Sequence, residues 1–259
     1  MHSIDSWDDP RLAPYRNMKD KALDREGRRF IAEGEQVVRR LLASGYQVES
    51  VLLSERKAAL ASLAPETVPV WMACDAIIER VIGFEFHSGV LAVGVRPAPV
   101  SLEQLCIGLP AEALLVVCPN ITNVENLGSL IRISAAFGAN AMVLGEQCCD
   151  PWFRQSVRVS MGTIFRLPIV RSEAIAKDLQ TLGSRWNFTR VASVLDPAAK
   201  PLKTIGRPAR LSLLLGNESN GLSAEHVALC DVATTIPMRL GTDSLNVAIA
   251  AGIFLYHFT

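Results

Sequence analysis

Three loops in the second half of the sequence carry side chains that could hold a ligand and stabilise a developing charge. They are NITNVENLGSLIR, starting at Asn120, GNESNGLS, starting at Gly216, and PMRLGTDSLN, starting at Pro237. Each follows a short apolar run typical of a buried strand, and parallel α/β sheets bind ligands beyond the carboxyl ends of their strands. The amides, the carboxylate and the arginine in these loops therefore indicate a binding site, where the glycines permit close approach of the backbone.

Several common kinds of site lack support. No GxGxxG follows an apolar run and no GxxxxGK[ST] occurs, which removes most of the support for dinucleotide binding and for a phosphate-binding loop. The six cysteines show no CxxC spacing and the four histidines are scattered, so we expect reduced thiols packed as small apolar groups. The predicted site contains no metal.

Composition indicates a soluble globular protein. Hydrophobic residues make up 49% and charged residues 20%, with a net charge of zero that neither favours nor excludes a polyanionic partner. The longest apolar stretch, 245–258, is shorter than the roughly 20 residues that a membrane-spanning helix needs. The N-terminus is polar and lacks the apolar core of a secretory signal, so we predict a cytoplasmic location.

The elements that position the three loops follow from apolar runs separated by helical segments. ALLVVC, NAMVLG, RVASVL, LSLLLG and VATTIP are bounded by Gly, Pro, Asn or Asp, as expected of buried parallel strands joined by helical crossovers. The last segment, SLNVAIAAGIFLYHF, predicts a helix with Ser244 at its cap, buried in the core or against another subunit. The fold class is therefore α/β.

A smaller α/β unit precedes this one. Apolar spacing from Phe30 to Leu42 predicts a helix, and VESVLLS, VPVWMA and SGVLAVGV predict strands. RPAPVSLEQLCIGLP, with three prolines, is the best linker candidate. We expect an N-terminal arm and first domain over 1–96, a linker over 97–110 and a second domain over 111–259.

The three loops and their flanks, in order, resemble the signature motifs of the SpoU (TrmH-like) RNA ribose methyltransferases of the SPOUT superfamily. NVENLGSLIRISAAFGANAMVL resembles motif 1, LLLGNESNGLS motif 2 and IPMRLGTDSLNVAIAAGI motif 3. RVSMGTIFRLPIV resembles the segment between motifs 1 and 2, and FIAEGEQVVRRLLASGYQVESVLLSE and HSGVLAVGV resemble the family's substrate-binding domain. The resemblance covers most of the chain.

This resemblance implies a SPOUT α/β trefoil-knot methyltransferase domain preceded by a small α/β (L30e-like) domain that binds RNA. It implies S-adenosyl-L-methionine in the knot, a homodimer with its active site near the subunit interface, and methyl transfer to a ribose 2′-hydroxyl, with ribosomal RNA favoured over transfer RNA. A ribose hydroxyl is a poor nucleophile, so the reaction needs in-line positioning and stabilisation of the developing alkoxide. The sulfonium donor carries its own leaving group, so neither a metal nor a covalent intermediate is required.

The resemblance also implies roles for individual residues. Arg132 would clamp an RNA phosphate and stabilise the alkoxide, because a guanidinium stays protonated, and Glu218 would organise the loop or the substrate. The implied catalytic residues are Asn126, Arg132, Glu218, Ser244 and Asn246. The implied cofactor-binding residues are Leu144, Gly145, Leu215, Gly216, Asn217, Glu218, Ile236, Met238, Leu245, Asn246 and Ala248. Taken singly, the apolar members are ordinary core residues and GNESNGLS is an ordinary capped turn.

Two runs of cations are candidates for RNA contact. Residues 151–171 contain four arginines and no acid, and Arg154 and Arg158, one helical turn apart, are the predicted phosphate contacts together with Arg132. Residues 11–29 contain seven cations and three acids, for which a solvated helix face is an equally good explanation.

Motif 1 departs from the family pattern, in which an acidic or amide residue is followed by proline. Here Val124 and Glu125 follow Asn123, so the predicted helix lacks its usual proline. Two other functions stay open: an RNA-binding assembly factor that keeps the scaffold without turnover, and a small-molecule methyltransferase of the ordinary Rossmann type. The complete catalytic set argues against the first, and the lack of a glycine-rich loop after a first strand argues against the second.

Overall fold

The computed structural model describes residues 2–16, 28–240 and 242–259, which form two compact units. Unit 1 comprises Met1–Ala98 and Pro151–Phe165, and unit 2 comprises Pro99–Asp150 and Arg166–Thr259. Each unit has its own hydrophobic core. The α/β class is confirmed. The first boundary lies close to the predicted one, whereas residues 151–165 group with unit 1.

Unit 1 has a mixed sheet of five strands within the described residues. They are β1 (His2–Ser3), β2 (Arg29–Glu33), β3 (Val48–Ser54), β4 (Val70–Ala73) and β5 (Val90–Val95), in the order β1-β4-β3-β5-β2. β4 pairs in parallel with β1 and β3, and β5 pairs antiparallel with β2 and β3. The helices are α1 (Glu35–Leu42), α2 (Asp75–Ile82) and α5 (Arg154–Val159), with 3-10 turns at Pro10–Tyr15, Glu55–Leu63 and Thr163–Phe165. The three predicted strands are confirmed as β3, β4 and β5.

The helix predicted from Phe30 is wrong over its first four residues. These residues belong to β2, and α1 begins only after Gly34, whose φ of 95° turns the chain out of the strand. Phe30 packs over Gly94 of β5, where an added Cβ would lie 2.3 Å from its ring. Packing within the sheet therefore overrides the helical spacing of the apolar residues.

Unit 2 has a parallel sheet of seven strands within the described residues. They are β6 (Ala113–Cys118), β7 (Ala141–Leu144), β8 (Ile169–Arg171), β9 (Thr189–Ser193), β10 (Lys200–Pro201), β11 (Arg210–Leu214) and β12 (Val232–Thr235), in the order β10-β12-β9-β11-β6-β7-β8. The helices are α3 (Leu102–Ile107), α4 (Val124–Ala136), α6 (Ile175–Ser184), α7 (Ala224–Ala228) and α8 (Val247–Phe258), with a 3-10 turn at Leu202–Thr204. The five predicted strands are confirmed. The trefoil knot and the L30e-like character of unit 1 stay predictions.

The segment predicted as a linker, 97–110, contains α3. Ser101 caps this helix by accepting a hydrogen bond from the backbone N–H of Gln104 at 3.2 Å, and the Gln104 side chain accepts one in return at 3.0 Å. Leu102 and Cys106 are buried in the core of unit 2. The prolines flank the helix, so the segment is part of the folded unit.

The final helix, α8, is capped by Asn246 and not by Ser244. The Asn246 Oδ1 accepts a hydrogen bond from the backbone N–H of Ala248 at 2.9 Å. Phe254 and Leu255 on one side of the helix are buried. No helix among the described residues has the length and apolar character needed to cross a membrane.

Candidate functional site

A cavity of about 430 Å³ lies in unit 2 beside the turns that follow β9, β11 and β12. Its volume lies within the roughly 300–1,000 Å³ typical of small-molecule sites. The lining consists of Ser193, Val194, Leu195, Gly216, Asn217, Glu218, Ser219, Asn220, Gly221, Ile236, Met238, Ser244, Leu245, Asn246, Val247, Ala250 and Phe254. The apolar walls and a few fixed polar groups suit a ligand with both apolar and charged parts.

The turn after β11 is closed by its own backbone and by Asn217. Asn217 and Gly221 exchange backbone hydrogen bonds of 3.0 and 2.9 Å. The Asn217 side chain donates to the carbonyl oxygen of Asn120 at 3.0 Å and accepts from the N–H of Ser219 at 2.9 Å. A Cβ at Gly216 would lie 2.3 Å from the backbone carbon of Gly221, so this turn requires glycine there.

One hydrogen-bonded chain joins the three predicted motifs. Asn126 of α4 donates through Nδ2 to Glu218 Oε1 at 3.0 Å, and its Oδ1 accepts from Asn246 Nδ2 at 2.9 Å. Glu218 and Asn246 line the cavity. The amide orientations are consistent along the chain, because Asn246 Oδ1 already accepts from the helix α8 backbone. Three of the five predicted catalytic residues are therefore in direct contact, and Ser244 lines the same cavity.

The start of α4 places Asn126 without the proline that motif 1 usually has. Asn123 caps the helix, and its Oδ1 accepts hydrogen bonds from the N–H groups of Glu125 and Asn126 at 2.8 and 3.1 Å. Val124 therefore stands where the family usually has proline, and the start of the helix is still capped.

Arg132 lies apart from this chain of contacts. Its side chain is exposed, and it has no hydrogen bond or ion pair with any residue that the structure describes. At about 100° per residue, six positions of helix put it roughly 240° around α4 from Asn126. Within one copy of the chain, Arg132 thus points away from the Asn126 face.

Four predicted cofactor-binding residues are absent from the cavity lining among the described residues: Leu144, Gly145, Leu215 and Ala248. Leu144 and Leu215 are fully buried, and Gly145 packs so closely on Pro119 that a Cβ would lie 2.3 Å from its carbonyl oxygen. Ala248 contributes its N–H to the Asn246 cap. Their predicted contacts with a ligand remain predictions.

One wall of the cavity, formed by Ser193, Val194 and Leu195, is absent from the residues predicted from the sequence. Ser193 is the last residue of β9 and Val194 and Leu195 follow it, and the Ser193 hydroxyl donates to the carbonyl oxygen of Leu214 at 2.9 Å. The run RVASVL is itself a predicted strand, so the rule that ligands bind beyond the carboxyl ends of parallel strands also applies to the residues at its end. Val247, Ala250 and Phe254 of α8 were missed because they resemble ordinary core residues.

The two predicted phosphate contacts in 151–171 belong to unit 1. Arg154 forms an ion pair with Glu33 and is 21% exposed, whereas Arg158 lies 3.7 Å from the same carboxylate and is 49% exposed. In the other cationic run, Arg11 pairs with Asp9 at 2.6 Å. Of the remaining cations there, Lys19, Lys21 and Arg25 lie outside the described residues.

The thiols of unit 2 are poor nucleophiles. Burial raises the pKa of Cys149 to about 12 and that of Cys118 well above the ordinary value. Both thiols are therefore protonated at neutral pH. All six cysteines are free, in agreement with the prediction of reduced thiols. The part of the chain that the structure describes contains no cluster of three or more His, Cys, Asp or Glu able to hold a metal.

The chain is similar to known RNA methyltransferases over part or nearly all of its length. Residues 113–256 match the model of the SpoU rRNA Methylase family. An uncharacterised tRNA/rRNA methyltransferase of Mycobacterium tuberculosis is 36% identical over 97% of this chain and 89% of its own. A 23S rRNA (guanosine-2′-O-)-methyltransferase of Acinetobacter baylyi is 30% identical over 74% and 78%. The AdoMet-bound structure of an rRNA methyltransferase from Sinorhizobium meliloti aligns with a TM-score of 0.81 at 26% identity, covering 99% and 97%.

Proposed function

The chain belongs to the SpoU rRNA Methylase family, and we propose that it transfers a methyl group from S-adenosyl-L-methionine to a ribose 2′-hydroxyl of RNA. The convergence of Asn126, Glu218 and Asn246, one residue from each motif, carries the proposal. The 2′-O activity named for the Acinetobacter relative supports the ribose hydroxyl as the methyl acceptor. The AdoMet-bound Sinorhizobium structure supports S-adenosyl-L-methionine as the methyl donor. We favour ribosomal RNA as the substrate, and an RNA substrate agrees with the predicted cytoplasmic location.

The cavity residues fit S-adenosyl-L-methionine. Ile236, Met238 and Leu245 offer apolar contact for the adenosine part, and the bare backbone at Gly216 allows close approach. The carboxylate of Glu218 complements a positively charged ligand. When bound, the cofactor supplies a methyl group on a good leaving group.

The chain's own residues position the acceptor and stabilise its charge. The hydrogen bonds to Asn126 fix the Glu218 carboxylate and the Asn246 amide relative to each other before substrate binds, which lowers the cost of ordering them. Arg132, whose guanidinium has no partner among the residues that the structure describes, would bind a phosphate and stabilise the developing alkoxide.

Two measurements on the purified protein test this function. We expect calorimetric binding of S-adenosyl-L-methionine and transfer of its radiolabelled methyl group to deproteinised bacterial 23S rRNA, with alkali-resistant linkage at the modified nucleotide. Absence of cofactor binding would exclude the enzyme. Binding of both cofactor and RNA without transfer of label would favour an RNA-binding assembly factor.

We also propose that the protein is a homodimer through α8. Ile249, Ile253 and Tyr256 are 58%, 39% and 76% exposed, and their spacing of four and three residues puts them on one helix face. A row of large apolar side chains on the surface of an otherwise well-buried helix favours a covered interface. The dimer would bury this row.

A charge in this row is expected to break the dimer. Ile253→Glu should shift the protein from dimer to monomer in analytical ultracentrifugation, because an unpaired carboxylate is costly to bury. Ile107→Glu, at a residue of α3 that is 69% exposed, is the matched control and should leave the dimer intact. A dimer that persists unchanged in Ile253→Glu would place the interface elsewhere.

A further inference from the structure

Five basic side chains of unit 1 gather where β2, α1 and α5 meet: Arg39, Arg40, Lys57, Arg154 and Arg158. We call them the five-cation surface. Glu35 holds Arg39 at 2.9 Å and Lys57 at 3.3 Å, and Glu33 holds Arg154 and Arg158. The two carboxylates flank Gly34, so both clusters lie at the same junction.

Arg40, the fifth cation, connects these clusters to the residues that follow α5. The Arg40 guanidinium donates to the carbonyl oxygen of Met161, and the Arg40 side chain packs against Gly162, where an added Cβ would lie 3.2 Å from it. α5 itself packs on β2. The five side chains therefore form one continuous part of unit 1.

The charges of this surface do not cancel. Each of the two carboxylates is shared by two cations and Arg40 is bonded to a neutral carbonyl, which leaves three positive charges in excess. Arg39, Lys57 and Arg158 are 40%, 41% and 49% exposed, so their charged ends reach solvent while the carboxylates hold them in place. Ordering long cationic side chains in advance reduces the entropy lost when they bind an anion.

Arg154 is held by more contacts than Arg158 and is less exposed. It is only 21% exposed, it pairs with the buried Glu33, and its guanidinium stacks over the ring of Phe84 at 4.5 Å. These contacts make it the anchor of Glu33, which in turn orients Arg158. The exposed members are better placed than Arg154 to reach a ligand.

We propose that the five-cation surface binds successive phosphates of the RNA backbone, with Arg39, Arg40, Lys57 and Arg158 as the contacting groups and Glu33, Glu35 and Arg154 as positioning residues. This inference rests on the proposed RNA substrate. Excess positive charge spread over two helices and a turn suits a chain of evenly spaced phosphates, which supply most of the salt-dependent affinity in such complexes.

The test is the salt dependence of RNA binding by the full chain. The triple variant Arg39→Gln/Lys57→Gln/Arg158→Gln should bind fluorescent deproteinised 23S rRNA fragments more weakly in anisotropy titrations from 50 to 200 mM KCl. Each lost phosphate contact should reduce the slope of log affinity against log salt by about 0.7–0.9, so the triple variant should lose about 2.1–2.7 units of slope. In methyl transfer, KM for RNA should rise while kcat at saturating RNA stays unchanged.

Arg185→Gln serves as the matched control, because Arg185 is 58% exposed in unit 2 and pairs with Glu103 at 2.7 Å. It should keep the slope of the unaltered protein. Calorimetric cofactor binding together with an unchanged far-UV circular dichroism spectrum verifies that both units of the triple variant are folded. If the folded triple variant keeps the slope of the unaltered protein and still methylates RNA, the proposed RNA-binding role of the five-cation surface is wrong but the proposed enzymatic function stands. If the unaltered protein fails to bind RNA, both proposals are wrong.

Discussion

Replacing Arg132 by alanine should lower kcat for RNA methylation by about 10²–10³-fold, the usual cost of removing one group that stabilises a developing oxyanion. Cofactor affinity should be unchanged, because Arg132 does not line the cavity of its own unit 2. The exposed guanidinium has no partner among the described residues, so its removal leaves no buried charge behind. Single-turnover transfer of labelled methyl to RNA and calorimetric titration with the cofactor measure the two effects separately.

The control for Arg132→Ala is Arg207→Ala, which removes another exposed arginine of unit 2 and should retain full activity. Arg132→Lys should recover only part of the lost rate, because an ammonium keeps the charge but lacks the planar fork of a guanidinium. Equal activity of Arg132→Ala and the unaltered protein would exclude a role in catalysis. Loss of cofactor binding in Arg132→Ala would instead indicate a structural role.

The positions in the site that the sequence predicted share a local signal. Gly216, Asn217 and Glu218 directly follow an apolar run, and the same holds for Ile236 and Met238 at the end of the next one. All five line the cavity. Because strand ends of a parallel sheet converge on one edge, local pattern indicated that these loops lie together. The roles of Ile236 and Met238 came from the family resemblance, since taken singly they are ordinary core residues.

The wall formed by Ser193, Val194 and Leu195 could not be predicted from local sequence, because its position depends on which strands lie side by side. β9 lies between β12 and β11 in the sheet, so the turn after β9 lies next to both of the other turns. Strand order is set by long-range packing, and no periodicity in the sequence encodes it. For the same reason the sequence did not predict β2. Phe30 is a strand residue because it packs on Gly94, 64 positions later in the chain.

The partners of charged residues could not be predicted from the sequence either. Arg154 and Arg158 share a helix face, and their spacing alone gave them the same predicted role. The buried carboxylate of Glu33, more than 100 positions earlier, distinguishes them by pairing closely with Arg154. Which of two neighbouring arginines is available to a ligand thus depends on the partner that the fold supplies.

Gly216→Ala should weaken cofactor binding by roughly 10- to 100-fold, which corresponds to the 1–3 kcal/mol that overpacking commonly costs. The added methyl group would lie 2.3 Å from the backbone carbon of Gly221 and 2.4 Å from the nitrogen of Leu222, so the turn must open. Opening displaces Asn217 and Glu218 from the cavity wall. Calorimetric titration with S-adenosyl-L-methionine measures the loss, and Gly206→Ala, where nothing lies within 4 Å of the new Cβ, should bind normally. Normal binding by Gly216→Ala would place the cofactor elsewhere.

The same substitution reveals whether Arg132 serves the cavity of its own chain or that of its partner in the proposed dimer. In a mixed dimer, the Arg132→Ala chain keeps an intact cavity and the Gly216→Ala chain keeps the arginine. The mixture is assayed at a cofactor concentration too low to saturate Gly216→Ala. If Arg132 acts across the interface, the two defects complement each other and mixing the impaired variants raises methyl transfer. If it acts within one chain, every site of the mixed dimer lacks a part and the mixture stays impaired. Because Arg132 lies roughly 240° around α4 from Asn126, we expect the mixture to be active. Adding Ile253→Glu to both chains should abolish the recovery, since complementation requires the dimer.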